Sequence, residues 1–181
     1  MALKATIAKA SLTVSDMDRG YYATHALTVA RHPSETDERM MVRVLAFALH
    51  ADPALAFGRG LSADDEPDLW QHDPTGVLLR WIDVGLPDER LLRKAAGRAR
   101  EVFVYAYGGR AVDLWWQRGA PSLERLPRLT VRNLPPETTQ GLAGLAARNM
   151  QLTCTVQDGH VYFSDEATTL AIELATVWPA P

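Results

Sequence analysis

The chain has 181 residues, 47% of them hydrophobic and 23% charged, enough to enclose one sizeable core and short for two domains. Its net charge of -3 argues against a protein that coats nucleic acid indiscriminately, and no run approaches the roughly 20 apolar residues of a membrane span. The single cysteine, Cys154, excludes an internal disulfide framework, and the N-terminus carries no signal-peptide pattern, so a soluble cytoplasmic protein is expected.

Leu3 to Val14 is rich in β-branched residues and alternates loosely, which predicts a strand. Ser15 to Gly20 is a turn, and Tyr21 to Ala30 the second strand of an antiparallel hairpin. His25 and His32 fall on or just after this strand without metal-ligand spacing. Pro33 to Glu38 predicts a helix start, with Ser34 as the cap and three acids in the first turn where the helix dipole favours them. Met40, Met41, Val44, Leu45, Ala48 and Leu49 continue it as an apolar stripe to about residue 51. Cap and dipole account for Glu35 and Asp37. At about 100° per residue, Glu38 lies near the line of Leu45, at the edge of the stripe, where a carboxylate can reach towards a sheet.

Ala54 to Arg59 predicts a short strand, and Asp64, Asp65, Glu66 and Asp68 then place four acids in five positions. Val77 to Val84 is the strongest strand, apolar on both faces apart from Arg80 and Asp83, as a central strand covered on both sides should be. Asp88 caps a helix with Leu91, Leu92, Ala95 and Ala96 on its inner face. Val102 to Tyr107 is a strand, Gly108-Gly109 opens a helix to about Gln117, Leu126 to Asn133 is a strand and Pro136 to Met150 a helix. Gln151 to Val156 and His160 to Phe163 flank Asp158-Gly159 as a hairpin with a two-residue turn. Thr168 to Val177 predicts a last strand, followed by a frayed tail from Trp178 to Pro181. The expected fold is one α/β domain over residues 1–181, with a single mixed, largely antiparallel sheet and flanking helices.

An acid closing an apolar strand after a Pro-Asp pair is the arrangement that Mg²⁺-dependent phosphodiester chemistry uses, because hard cations take one or two carboxylates together with water and phosphate oxygens. The plainer alternative is a solvated acidic loop, with Asp83 capping nearby N–H groups at a strand end. Between Arg90 and Arg132 there are ten basic residues and three acids, against nine and nineteen elsewhere. That basic middle is either a polyanion-binding face, contacted through Arg90, Arg93 and Arg98, or a pair of solvated helices. Trp115-Trp116 either stacks on bases or buries one ring and half-covers the other. Cys154, inside a strand, is expected as a small buried hydrophobe. No nucleophile elbow and no Gly-rich phosphate loop is present, so Ser-His-Asp hydrolysis and P-loop nucleotide binding find no support.

The whole chain resembles the YaeQ family of small bacterial proteins. The resemblance is carried by Met1 to Ile7, Ala30 to Thr36, Glu38 to Met41, Gly60-Leu61 and Ala63 to Pro67. It continues through Trp81 to Asp83, Gly85 to Arg90, Trp115 to Gln117 and Gln157 to Gly159. It implies a variant of the PD-(D/E)xK nuclease core, and it implies fold better than reaction. Carried over, the nuclease pattern uses Glu38 from the first helix, Asp68 as the first strand-linked metal ligand with Glu66 or Asp65 as substitutes, and Asp83 as the acid of the (D/E)xK element. Where that element wants lysine the chain has Gly85, so the charge would come from the next helix, from Lys94 or else Arg90. The implied catalytic set is Glu38, Asp68, Asp83 and Lys94, with Mg²⁺ or Mn²⁺ held by Asp68, Asp83 and Glu66. The first function this suggests is metal-dependent hydrolysis of a nucleic-acid phosphodiester. The second is a non-catalytic module binding nucleic acid or a protein on the same fold, and the third a small-molecule enzyme reusing the acidic cleft.

Overall fold

The computed structural model describes residues 4–59 and 65–179. Strands β1 (Thr6–Asp16) and β2 (Tyr21–Arg31) form the expected antiparallel hairpin, in register from Thr6 opposite Arg31 to Asp16 opposite Tyr21. Helix α1 (Asp37–Leu49) starts later than the sequence suggests. Thr36 is its cap, accepting from the Arg39 backbone N–H at 3.1 Å. Ser34 instead bonds the His32 ring at 2.7 Å and so belongs to the turn before it. All nine residues from Met40 to Ala48 are buried, Arg43 included, because this helix is covered on every side.

The next elements are β3 (Leu55–Phe57), β4 (Leu69–His72), β5 (Leu78–Val84), α2 (Glu89–Arg98), β6 (Glu101–Tyr107), α3 (Arg110–Leu123) and β7 (Leu129–Leu134). They are followed by α4 (Pro136–Gly144), β8 (Asn149–Gln157), β9 (His160–Ser164), β10 (Thr169–Ile172) and β11 (Ala175–Trp178). Instead of the single expected sheet there are two, in the orders β10-β9-β8-β1-β2 and β11-β7-β6-β5-β4-β3. Both are mixed, with β1 parallel to β8 in the first and β5, β6 and β7 mutually parallel in the second. One core cluster joins Leu12 and Val29 of the first sheet through Met41 and Leu45 of α1 to Ile82 and Val84 of the second. On the far face of the second sheet, α2 and α3 cover Trp81, Val102, Val104 and Val131. The central, doubly covered strand read from residues 77–84 is therefore present as β5.

Other differences have local causes. The stretch read as one C-terminal strand splits between the sheets, β10 pairing with β9 and β11 with β7. Trp178 is not frayed: its ring lies 6.1 Å from that of Trp116. Helix α4 stops at Gly144, and Asn149 and Met150 join β8, whose parallel pairing with β1 begins at Lys9 opposite Asn149. Tertiary pairing overrides the helix propensity of that Ala- and Leu-rich run. Helix α3 runs on to Leu123 through Pro121, its last turn anchored by the fully buried Leu123. Asp158 and Gly159 make the hairpin turn in left-handed conformations (φ 51° and 77°), and Asp18 accepts hydrogen bonds from both their N–H groups. No helix among the described residues is long and apolar enough to cross a membrane.

Candidate functional site

Period-two alternation along β5 puts Trp81 and Asp83 on one face. Antiparallel pairing of Leu69 with Ile82 then brings Asp68, the residue just before β4, beside the end of β5. The Asp68 backbone N–H donates to Asp83 Oδ1 at 3.3 Å, the Trp81 indole N–H donates to Asp83 Oδ2 at 2.8 Å, and the Val84 N–H donates to Asp68 Oδ2 at 2.8 Å. The two carboxylates are 5% and 4% exposed, respectively. Burial, with the charge of Asp68 added, pushes Asp83 up to about 7 against the opposing pull of its hydrogen-bond donors and of Arg39. Gly58 lets the end of β3 pass close to this corner: its N–H donates to the Asp68 carbonyl at 2.9 Å, and a Cβ there would collide with the Pro67 carbonyl.

A chain of charges approaches the pair from α1. Glu35, buried just ahead of the helix, accepts from Arg43 Nε at 2.8 Å, from Arg43 Nη2 at 2.7 Å and from Arg39 Nη1 at 3.0 Å. Arg39 Nη2 completes the chain by donating to Asp68 Oδ1 at 2.7 Å. Arg43 Nη2 also donates to the Ala30 carbonyl at 2.9 Å. Sequence reasoning missed Arg39 and Arg43 and treated Glu35 as a capping acid. The available signal was the spacing of Glu35, Arg39 and Arg43 at successive four-residue steps, which lines one side of a helix, with Arg43 set inside an apolar run.

These groups open into a cleft of about 820 Å³ at the carboxyl end of β5, whose lining includes Arg39, Asp68, Asp83, Gly85, Lys94 and Tyr107. Glu66 and Arg90 also line it, so most of the sequence-derived set converges there. Glu66, however, turns both its oxygens to Arg59, at 2.8–3.0 Å. Glu38 is half-buried and does not line the cleft, although its charge reaches Tyr107. Tyr107 is pushed up to about 12, mainly by burial, and stays protonated. Arg93 pairs with Glu89 at 3.7 Å and Arg98 lies over the Trp81 ring at 5.5 Å, and neither lines the cleft. Asp64 lies outside the described residues, and Asp65 does not line the cleft.

Gly85 has a physical reason to be glycine. Its φ is 89°, its N–H donates to the Tyr105 carbonyl at 2.9 Å, and the chain turns there from β5 towards α2. Any side chain at that position would be strained, lysine included. Trp115 donates its indole N–H to the Pro87 carbonyl at 2.9 Å and Trp116 packs against Trp178, so both serve the packing of α3. Cys154 is fully buried and its thiol is pushed up to about 12, which makes it the expected inert hydrophobe.

Among the described residues, no group of three or more His, Cys, Asp or Glu side chains could hold a metal ion. Asp68 and Asp83 offer two carboxylates, and each oxygen keeps a second lone pair beyond its hydrogen bond. That fits a cation that takes two carboxylates and completes its shell with water and phosphate, and it does not fit a closed protein cage.

Fold and site together define an α/β protein of two mixed sheets around a buried helix, with a paired-carboxylate cleft at the end of a central strand. The chain belongs to the YaeQ family, whose model, described as YaeQ protein, matches residues 1–174. It is 46% identical over 182 residues to the uncharacterized protein YaeQ of Escherichia coli (strain K12), covering 100% of this chain and 99% of that one. The Salmonella typhi YaeQ is 47% identical over the same shares. The crystal structure of the YaeQ protein from Xanthomonas axonopodis pv. citri matches with a TM-score of 0.92 at 50% identity, over 98% of this chain and 99% of that one. The YaeQ structure from Pseudomonas syringae matches with the same TM-score at 34% identity, over 97% of each chain. The family resemblance read from the sequence is borne out.

Proposed function

We propose that the cleft hydrolyses a phosphodiester of nucleic acid with Mg²⁺ or Mn²⁺ held by Asp68 and Asp83. The observation that carries this reading is the juxtaposition of two buried carboxylates with a cleft also lined by Lys94 and Arg90, one helical turn apart on α2. A hard cation at the pair would polarise the phosphate and acidify a water. Lys94 and Arg90 meet the phosphate oxygens, and the protonated Tyr107 hydroxyl donates a hydrogen bond within the cleft. Glu38, outside the cleft lining, acts only through its charge on Tyr107, and Glu66 joins the metal pair only by leaving Arg59. This reading takes the sheet from β4 to β6, with α2, as a nuclease-like core of the PD-(D/E)xK kind.

A second reading is supported by Gly85 in place of lysine and by the Arg39 ion pair on Asp68: a binding module, for nucleic acid or a protein, that hydrolyses nothing. Turnover with Mn²⁺ on single- and double-stranded DNA and RNA, with Asp83→Ala as the contamination control and circular dichroism to confirm its folding, separates the two. The expected result is cleavage that requires metal and vanishes in the variant. Equal signals from both proteins on every substrate would move the assignment to the binding module.

A further inference from the structure

We infer that Arg39 is the fixed cation that contacts the phosphate in this cleft, filling the role that Gly85 leaves open. The inference rests on the phosphodiester reading above and names a residue that reading did not contain. Arg39 comes from α1, on the opposite side from α2, and lines the cleft beside Asp68. Its guanidinium is held at both ends, by Glu35 at 3.0 Å and Asp68 at 2.7 Å, and Glu35 is itself clamped by Arg43. The Arg39 side chain is 17% exposed, enough for a ligand to reach it. By contrast, Lys94 stands on the exposed flank of α2.

Two donors are used in those ion pairs, and a guanidinium has five. The Nε–H and one N–H on each terminal nitrogen remain for phosphate oxygens, in the planar fork that suits bidentate phosphate recognition. A donor already oriented by its surroundings does not have to be ordered when the ligand arrives, and for charge developing on a phosphate such preorganised donors are the effective ones. The long flexible side chain of Lys94 must lose rotamer freedom to do the same. A lysine two positions after Asp83, just past β5, would be strained because the backbone there is left-handed; α1 delivers a cation to the same floor from the other side. The rival role for Arg39 is that of a counter-ion to Asp68 and nothing more.

The test is fluorescence-anisotropy binding of labelled DNA and RNA oligonucleotides, single- and double-stranded, across a salt series, in EDTA and again with Mn²⁺, by wild type, Arg39→Gln and Lys94→Gln. Arg39→Gln is expected to lower affinity about tenfold and the slope of log K against log salt by about one, with a smaller loss of affinity in Lys94→Gln. Thermal unfolding checks the fold. If Arg39→Gln alone does not fold, the same comparison is made between Asp68→Asn and the Arg39→Gln, Asp68→Asn double variant, in which neither charge of the pair is left alone. Wild-type affinity and salt slope in the folded Arg39 variant would overturn the inference and leave Arg39 as a counter-ion. A wild-type protein that binds no oligonucleotide in either condition would instead overturn the phosphodiester reading, and the inference with it.

Discussion

Asp83 offers the most direct physical test of the site, through the substitution Asp83→Asn. Its carboxyl titrates at about 7 in the folded protein against an ordinary 3.8. Because the folded value is raised, the stability contribution of this group is fully present below pH 3.8 and is lost as the pH rises through 7. At about 1.4 kcal/mol per unit, the displacement amounts to roughly 4 kcal/mol above pH 7, taken as an upper bound. Asparagine has the same shape and does not ionise, but its single carbonyl oxygen faces two donors, the Trp81 indole and the Asp68 N–H. Its NH₂ then opposes one of them, at a cost of about 1–3 kcal/mol. Urea denaturation of the two proteins from pH 5 to pH 8 should show Asp83→Asn as the more stable at pH 8, by about 1–3 kcal/mol, with the advantage gone at pH 5. Groups elsewhere cancel in the difference between the proteins. A difference independent of pH would refute the account of Asp83 as a carboxylate ionised against burial and a neighbouring charge. The confirming result would also give a reason to regard the site as functional, since an acid that destabilises its own fold at neutral pH is kept for something other than stability.

Three further outcomes are expected. Gly58→Ala forces a methyl group into the Pro67 carbonyl and should cost about 1–3 kcal/mol, read as a lowered Tm; an alanine variant as stable as wild type would show that the corner can relax. Glu35→Gln leaves Arg43, whose side chain is 2% exposed, without its counter-ion and should cost about 3–5 kcal/mol in urea unfolding, whereas a loss typical of a surface pair would contradict the buried chain of charges. His50 is buried, shares a 2.6 Å hydrogen bond with Tyr105, and is lowered mainly by burial from 6.5 to about 3. Its contribution is present above pH 6.5 and lost as the pH falls towards 3, so His50→Gln should flatten the decline in stability over that range, and an unchanged decline would place its cause elsewhere.

Elements whose signals are local were legible in the sequence. β5 showed as an apolar run broken only by Arg80 and Asp83, the β8–β9 hairpin as Asp158-Gly159 between alternating strands, and α2 as a helix capped by Asp88, which accepts from the Arg90 N–H at 2.7 Å. β4 was hidden because four residues beside an acidic stretch are too few to establish a period. The division into two sheets was hidden because partner choice is non-local: nothing within residues 168–177 says that its halves pair with β9 and β7. The site follows the same rule. Asp68 and Asp83 could be found from a Pro-Asp pair and an acid closing a strand. The spacing of Glu35, Arg39 and Arg43 could have joined those three, but not Arg39 to Asp68, because that contact depends on the sheet that places Asp68 against the helix.

The pairing of β1 with β8, Lys9 opposite Asn149, bears on how the chain is made. During synthesis the first hairpin and α1 leave the ribosome long before β8 exists, and β10 and β11, which complete one edge of each sheet, come last of all. Until β8 exists the cluster around α1 lacks Leu142 and Leu145 from the end of α4 and Met150, Leu152 and Cys154 of β8. Such a topology, closed by contacts between distant parts of the chain, folds slowly and exposes aggregation-prone surface while it waits. A pause in translation before residue 149 would lengthen that exposure.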